Sequence, residues 1–543
     1  MIVFVSDLFV EDYVGGGELT SEAIINGSLL PVFKINSRNV SLKLMANNQD
    51  KFWVFGNFAE LNEACIMYAI KNLKYANLEY DYKYCVFRLP EKHVAAEGKC
   101  DCHNERRGKL VSAFYKKSVQ TWFMSEKQRT NYIDKFPFLD SPNIKVLNSV
   151  FLPETLSFIE SLDTSNKNNK WLISNSPSWV KGTKLAIKHA EDNNLEYELV
   201  WGLEHRELLK KMAKYRGVIY LPPGGDTCPR FIIEAKMLDC ELVLNENVQH
   251  KNEDWFKTKE TTIEHMRNRP QTFWSDIENE WHLNTPCHDS QKEKTKFNIV
   301  VPFYNCQPWI LKCLESIHYQ KYSNFECFIV DDVSTDKSSE IIKQFISDKD
   351  NFNLIENKDK KFALANIAHV LNNGSLSSED VNIILDGDDW FSSYNVLSYL
   401  NKIYVDDNSY MTYGTYIYHP HGKIGIEPSK YPEEIIKNNL FRKDKWRASH
   451  LRTFKHHLWQ NLNMDDLKDD DGNYYHTAYD QALMLPLLEM SSERSVYIDK
   501  LMHVYNRSNP LNVDKVKQKL QYDTSLKIRE KKPYRRIDDT IIR

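Results

Sequence analysis

Residues 381–390 read VNIILDGDDW: a short apolar run, then three carboxylates around one glycine, then a tryptophan. A short apolar run closed by an acidic, glycine-containing turn is how a buried parallel strand looks where its C-terminal end emerges into a crevice. Open α/β sheets bind their ligands at such ends. Asp386 and Asp388 can both turn toward one divalent cation, because hard carboxylate oxygens suit Mg²⁺ or Mn²⁺ and such ions keep positions open for substrate phosphates. Taken alone, the stretch also reads as an acidic surface turn, and the rest of the chain decides between the two.

Upstream, FNIVVPFYN (297–305) reads as a second buried strand, residues 309–318 as an amphipathic helix, and FECFIVDDVSTD (325–336) as a third strand ending in acids. Strand, helix and strand in that rhythm predict a Rossmann-like βαβ unit. VVPFYN, then IVDDVSTDKS, then LDGDDW, at this order and spacing, resemble glycosyltransferase family 2, a large class of GT-A fold that moves sugars from nucleotide donors. The similarity covers roughly residues 297–510. It implies that Tyr304 packs its ring on the nucleotide base, that Asp331 and Asp332 read base and ribose, and that Asp386 and Asp388 bind Mn²⁺ or Mg²⁺ against a nucleotide-diphosphate sugar. The chemical reason stands without the family: the leaving diphosphate develops negative charge, which a bridging cation stabilises where it forms.

Inverting transfer also needs a carboxylate to take the proton of the acceptor hydroxyl. The family places that acid at a helix start downstream, and HTAYDQALMLPLLEM (476–490) puts Asp480 at the head of an apolar helix, whose dipole favours the ionised form. The family's usual "ED" is "YD" here, and an acid at a helix start also serves simply to stabilise the helix. Asp465, Asp466, Asp469, Asp470 and Asp471 read as a solvated turn. SHLRTFKHHLW (449–459) resembles a run found in a subgroup of family 2 and reads as a cationic helix from which His450 and Arg452 clamp the diphosphate or the acceptor. His503 and Arg507 fall where the family closes its site with a C-terminal loop, His503 being read as structural.

The N-terminal half reads as a separate α/β layer. Strand MIVFVSDLFV runs into VGGGELTSEAII, where Gly15, Gly16 and Gly17 let the backbone approach a ligand ahead of a helix N-terminus. FWVFGNFAE, YKYCVFRL, VQTWFMS and NIKVLNSVFL are further predicted strands, and KWLISNSPSWVKG, LEYELVWG, YRGVIYLPP and CELVLNENV repeat the logic up to about residue 285. Lys181–Gly182 together with GGDTCPRFIIEAKML resembles the nucleotide-binding half of glycosyltransferase family 4, a GT-B class. By that resemblance Lys181 contacts the donor diphosphate, Glu234 the ribose and Asp226 the sugar, with Gly16 and Gly17 in the facing loop. The first acid is Asp rather than the usual Glu, and the arginine that often precedes the lysine is absent, so a module kept for its shape is the competing reading.

These readings predict an α/β protein: a GT-B-like N-terminal half over residues 1–150, its nucleotide-binding partner over 151–285, a linker over 286–296, a GT-A domain over 297–510 and a basic helical tail over 511–543. The composition, 42% hydrophobic and 27% charged, is that of a globular chain. No uncharged run approaches the ~20 residues of a membrane helix, and the N-terminus lacks a basic leader, so a cytoplasmic enzyme without a membrane span is expected, in the host cytoplasm if phage-encoded. The ten cysteines read as reduced core thiols. Cys100, Cys102 and His103 lack the second matching pair that zinc spacing normally supplies.

The net charge of −4 excludes a uniformly cationic nucleic-acid binder, but residues 441–457 and 527–536 are strongly basic. The Asn-, Lys-, Ile- and Tyr-rich composition and the module fusion resemble phage and bacterial enzymes. The resulting expectation is transfer to a hydroxymethyl-type base of modified phage DNA, narrowly ahead of a bacterial surface saccharide, with base flipping and strong salt dependence. A non-catalytic carbohydrate- or nucleic-acid-binding protein on decayed transferase folds is the alternative from another class.

Overall fold

The computed structural model describes residues 1–281, 294–406, 408–512 and 518–537. Residues 1–28 and 32–281 form one compact unit; residues 29–31 and the described residues from 294 onward form the other. Most of the expected linker, and residues 513–517 and 538–543 of the expected tail, lie outside the described residues. Among the described residues, no helix is long and apolar enough to cross a membrane.

The first unit contains two parallel sheets, as its continuous rather than alternating apolar runs require. β1 (Ile2–Ser6), β2 (Val32–Asn36), β3 (Phe52–Phe55), β4 (Lys74–Glu79), β5 (Gln120–Phe123) and β6 (Ile144–Val146) pair in the order β2-β1-β3-β4-β5-β6. β7 (Trp171–Ser174), β8 (Tyr197–Val200), β9 (Gly217–Tyr220) and β10 (Glu241–Leu244) pair in the order β10-β9-β7-β8. Both orders reverse direction, at β1/β3 and at β7/β9, and such reversals open a crevice at the strands' C-terminal ends. YKYCVFRL (82–89), expected as a strand, is a chain of turns. The Cys85 N–H donates to Tyr82 O at 2.8 Å, the Arg88 N–H to Cys85 O at 2.9 Å, and Arg88 takes φ 57°. Tyr82, Tyr84, Cys85 and Leu89 are buried, Tyr82 and Tyr84 against Tyr132, while Val86 is exposed, a pattern set by the turns and not by alternation across a pleat.

The second unit is built on one curled mixed sheet. β11 (Phe297–Phe303), β12 (Phe325–Asp331), β13 (Phe352–Glu356) and β14 (Val381–Ile384) are parallel, and β15 (Trp390–Phe391), β16 (Met411–His419), β17 (Arg452–Lys455) and β18 (Ser495–Asn506) extend it. The full order is β13-β12-β11-β14-β17-β16-β18-β15, with β17 antiparallel to both β14 and β16. β11 and β14 are buried along their whole length. One apolar layer on Ile299, Val301, Ile383 and Leu397 covers one face, and one on Val300, Ile384, Phe454 and Leu483 covers the other. The order reverses between β11 and β14, so their ends form the mouth of a ligand crevice.

The expected cationic helix at 449–459 is a correction. Residues 452–455 are strand β17, with Arg452 opposite Ile384, and only His456–Gln460 is helical. Arg452, Thr453 and Phe454 are buried there, and His456 and His457 are buried in the turn of helix that follows. Charged letters in the sequence masked a strand that the sheet consumes.

Candidate active site

Two backbone bonds align the ends of β11 and β14: the Leu385 N–H donates to Val300 O at 3.1 Å, and the Gly387 N–H to Pro302 O at 3.0 Å. Gly387 lies so close to β11 that a Cβ on it would stand 2.4 Å from Phe303 Cβ. This approach brings the three carboxylates of the DGDD turn to the mouth of a cavity of about 440 Å³. Tyr304, Asp332, Lys360, Asp386, Asp388, Asp389, His450, Arg452, Tyr479, Asp480 and Asn509 line it.

Each carboxylate has its own partners. Asp386 accepts from the Tyr479 hydroxyl at 2.7 and 3.0 Å and from Arg452 Nη2 at 3.5 Å. Asp388 accepts from Asn509 Nδ2 at 2.7 Å. Asp389 accepts from His503 Nε2 at 2.9 Å and from the Asn506 N–H at 2.8 Å, which ties the turn to the end of β18. Burial, then the charges of Asp389 and Asp386, hold the Asp388 carboxyl well above the usual carboxylate range; burial and Asp386 do the same to Asp389. Burial opposes the charge on Arg452, and Tyr479, Asp386 and Asp480 more than offset it. Three crowded carboxylates thus face one buried guanidinium. This all-oxygen, anion-rich donor set fits a hard divalent cation, which Asp386 and Asp388 would hold beside Asp389. Asp389, His450 and His503 also bring their ligand atoms within 4.8 Å of one another. Burial, then Arg452, keeps His450 neutral and holds His503 down to about 3.

Asp480 stands in the first turn of the helix Tyr479–Ser491, after Ala478 in the left-handed conformation. Burial pushes its carboxyl up and Arg452 opposes the shift. Lys360 Nζ lies over the Tyr304 ring, 3.1 Å from its centre. The structure therefore brings Tyr304, Asp332, Asp386, Asp388, His450, Arg452 and Asp480 to one cavity. Asp331 is not among its lining residues: its carboxylate accepts from the Ser334 N–H at 2.8 Å and from the Ser339 hydroxyl. Asp332 accepts from the Lys361 N–H at 2.7 Å, the Phe362 N–H at 3.0 Å, Asn357 at 3.2 Å and Asn366 at 3.1 Å, so both oxygens anchor the loop that carries Lys360. Sequence reading assigned no role to Asp389, Tyr479, Asn509 or Lys360. Two of them left a signal: Asp389 as the third carboxylate of the DGDD turn, and Tyr479 as the "YD" in place of "ED".

In the first unit, Lys181 Nζ donates to Asp226 Oδ2 at 2.8 Å, and the Tyr220 hydroxyl donates to the same carboxylate. Gly182, at φ 65°, passes so close to Leu221 O that a Cβ would stand 2.0 Å from it. Buried Glu234 meets His205 Nε2 at 2.9 Å and Arg230 Nε at 3.7 Å. A Cβ on Gly16 would touch the Arg230 side chain at 3.7 Å, and one on Gly17 would touch the Tyr80 ring at 3.9 Å. Lys181 and Asp226 form one cluster and Glu234 another, and Arg230 supplies a cation beside the glycine loop from the helix Arg230–Met237.

Residues 298–461 match the family described as Glycosyl transferase family 2. Glycosyltransferase GlyA of Streptococcus pneumoniae is 28% identical over 227 residues, 39% of this chain and 30% of GlyA. The teichoic acid poly(glycerol phosphate) polymerase of Staphylococcus epidermidis is 35% identical over 112 residues, 20% of this chain and 15% of the polymerase. The chain thus spans less than a third of the length of either relative. The solved structure of S. aureus TarS 1-349 in complex with UDP-GlcNAc is similar with a TM-score of 0.32 and 16% identity, over 40% of this chain and 59% of that one. The matched residues carry Tyr304, the DGDD turn, His450 and Arg452, while Asp480, His503 and Asn509 lie beyond them. The C-terminal unit of this chain carries a glycosyltransferase domain of family 2.

Proposed function

We propose that the C-terminal unit transfers a sugar, with inversion, from a nucleotide-diphosphate donor to an acceptor hydroxyl. The observation that carries this reading is the convergence of the DGDD turn, Arg452, Tyr304 and Asp480 on one cavity at the β11/β14 reversal. Tyr304 offers its ring to the nucleotide base once Lys360 swings off it, and Asp332 holds the loop that forms this wall. Asp386 and Asp388 would hold a Mg²⁺ or Mn²⁺ ion, which would supply charge stabilisation for the departing diphosphate. Arg452 adds a fixed positive charge at the same place, aimed by Asp386 and Tyr479. Asp480 takes the proton from the acceptor hydroxyl as the oxygen bonds to the anomeric carbon and the bond to the diphosphate breaks on the opposite face. Burial raises the basicity of Asp480 toward what such a base needs, while Arg452 keeps it ionisable.

The acceptor we favour is a bacterial surface glycan of teichoic-acid type. Relatives named for glycosyl transfer and for teichoic acid synthesis support it. So does the fate of the basic runs on which a DNA acceptor would rest. Arg442 is buried against Glu489 at 2.7 and 3.0 Å, Arg529 donates to the carbonyls of Arg442 and Asp444, Lys531 to those of Asp466 and Lys468, and Lys527 pairs with Asp470. Cations committed to the protein's own oxygens are poorly placed to neutralise a phosphate backbone. In the first unit, Lys181, Asp226, Glu234 and Arg230 at the ends of β7 and β9 are consistent with a second, GT-B-like nucleotide site, and we place the enzyme in the cytoplasm. The test is a panel of nucleotide sugars with Mn²⁺, offered polyol-phosphate polymer or hydroxymethylated duplex DNA. Transfer to the polymer, lost in Asp388→Ala, supports the reading; transfer to the DNA alone overturns the acceptor, and no turnover of any donor overturns the activity.

A further inference from the structure

In the first unit, Cys85, His93, Cys100 and Cys102 present one ligand atom each, all within 4.8 Å of one another. Cys85 Sγ lies 3.5 Å and Cys102 Sγ 3.3 Å from His93 Nδ1, and Cys100 Sγ lies 3.7 Å from Cys85 Sγ. A regular tetrahedron around Zn²⁺, with Zn–S of ~2.3 Å and Zn–N of ~2.0–2.1 Å, has sulfur–sulfur edges of ~3.8 Å and sulfur–nitrogen edges of ~3.5 Å. Three of the cluster's six edges, Cys85–His93, Cys102–His93 and Cys85–Cys100, are already close to those lengths, and the other three are within 4.8 Å. Cys85, His93 and Cys102 are buried and Cys100 is half-buried.

The surroundings are those of a metal ligand. His93 Nε2 is bonded to Glu97 Oε2 at 2.8 Å, one turn along the helix Pro90–Glu97. With Nε2–H donating to this carboxylate, the Nδ1 lone pair faces the sulfurs, which is the tautomer and the carboxylate partner that zinc-bound histidines use. Gly98, at φ 79°, ends that helix and turns the chain back toward Cys100. Gly108, in the next helix, approaches until a Cβ would stand 2.3 Å from Cys102 O, which seats the Cys102 turn against that helix.

We propose that Cys85, His93, Cys100 and Cys102 form a structural Zn²⁺ site, closed by four protein ligands. The three thiols give up their protons as the ion binds, so binding energy becomes folding energy for a segment with little regular structure of its own. Spacing failed to show the site because two of its ligands precede the Cys-x-Cys pair, one on the turns that replace an expected strand and one on a helix. His103, the sequence's third candidate, is not in the cluster; its ring lies edge-on to Phe136. The ion would stiffen residues 80–105. That segment also touches the loops after β9 and β10: Thr227 Oγ1 donates to Tyr80 O at 2.7 Å and Gln249 Nε2 to the Tyr82 hydroxyl at 2.7 Å.

The test is the metal content of the full chain, purified without chelator, together with reconstitution by Co²⁺ under reducing conditions. The expected result is about one zinc per chain, intense visible d–d bands and near-ultraviolet sulfur-to-cobalt charge transfer for tetrahedral thiolate–imidazole ligation. Both are lost in Cys102→Ser and kept in Cys65→Ser, whose thiol is buried elsewhere. Glu97→Gln keeps the spectrum and weakens zinc binding ~10-fold. Wild-type chain that holds no zinc and gives no tetrahedral cobalt spectrum overturns the proposal whether or not the variants fold. So does a Cys85–Cys100 disulfide in peptides mapped without reduction.

Discussion

Tyr479 occupies the position where the related family has an acid, and its hydroxyl donates to both oxygens of Asp386. A neutral donor here orients the carboxylate without adding a fourth negative charge to the Asp386, Asp388 and Asp389 group, where a glutamate would raise the repulsion that already disfavours ionisation of Asp388. Hydrogen bonds to charged groups contribute ~1.5–3 kcal/mol. We therefore expect Tyr479→Phe to weaken donor binding in the presence of Mn²⁺ by ~10-fold or more, read by calorimetric titration. Unchanged affinity would show that Arg452 alone orients Asp386. The "YD" in place of "ED" was legible in the sequence but its partner was not, because the identity of a helix-start residue does not reveal which carboxylate, ninety-three positions away, it will meet.

At the scale of elements, the DGDD turn depends on how closely β14 follows β11. Gly387 has no room for a side chain against Phe303. Gly387→Ala should destabilise by about 1–3 kcal/mol through overpacking and lower activity by displacing the carboxylates on either side. Urea unfolding followed by fluorescence checks the first effect, and wild-type stability in that variant would contradict the close approach. The strands flanking this turn were legible, since FNIVVPF and VNII are short apolar runs ended by turn chemistry, and fully buried parallel strands have that signature. β17 was not: an arginine and a lysine bracket its two central residues, and Arg452 is buried against Asp386 and Tyr479 on two other segments. YKYCVFRL failed the opposite way. Its apolar letters suggest a pleat, yet successive turns bury Tyr82, Tyr84, Cys85 and Leu89 and leave Val86 exposed.

For the whole molecule, Arg442, Arg529 and Lys531 of the second unit's basic runs tie its segments together. Arg442 and Glu489, 7% and 1% exposed, form a bidentate pair that joins the 441–444 turns to the helix Tyr479–Ser491, while Arg442 Nη1 also donates to Ile528 O at 2.6 Å. Removing one partner of such a pair strands a buried charge and costs about 3–5 kcal/mol. Glu489→Leu should therefore lower the melting temperature sharply, and Arg442→Met combined with Glu489→Leu should recover much of the loss. A thermal melt of the three proteins checks this, and additive losses would mean that the pair is not the linkage. Charge alone could not separate this arrangement from a nucleic-acid surface. A run of Lys and Arg reads the same whether its partners are phosphates or the protein's own carbonyls.

In the proposed mechanism, the cavity at the β11/β14 reversal binds the donor and Asp480 removes the acceptor's proton. Asp480→Asn tests both parts in one comparison: donor-induced thermal stabilisation with Mn²⁺, set beside turnover of the same donor. We predict that stabilisation persists at the wild-type level while transfer falls by ~10²–10⁴-fold, the range of a lost general base. Turnover in Asp480→Asn equal to wild type would remove Asp480 from the role of base.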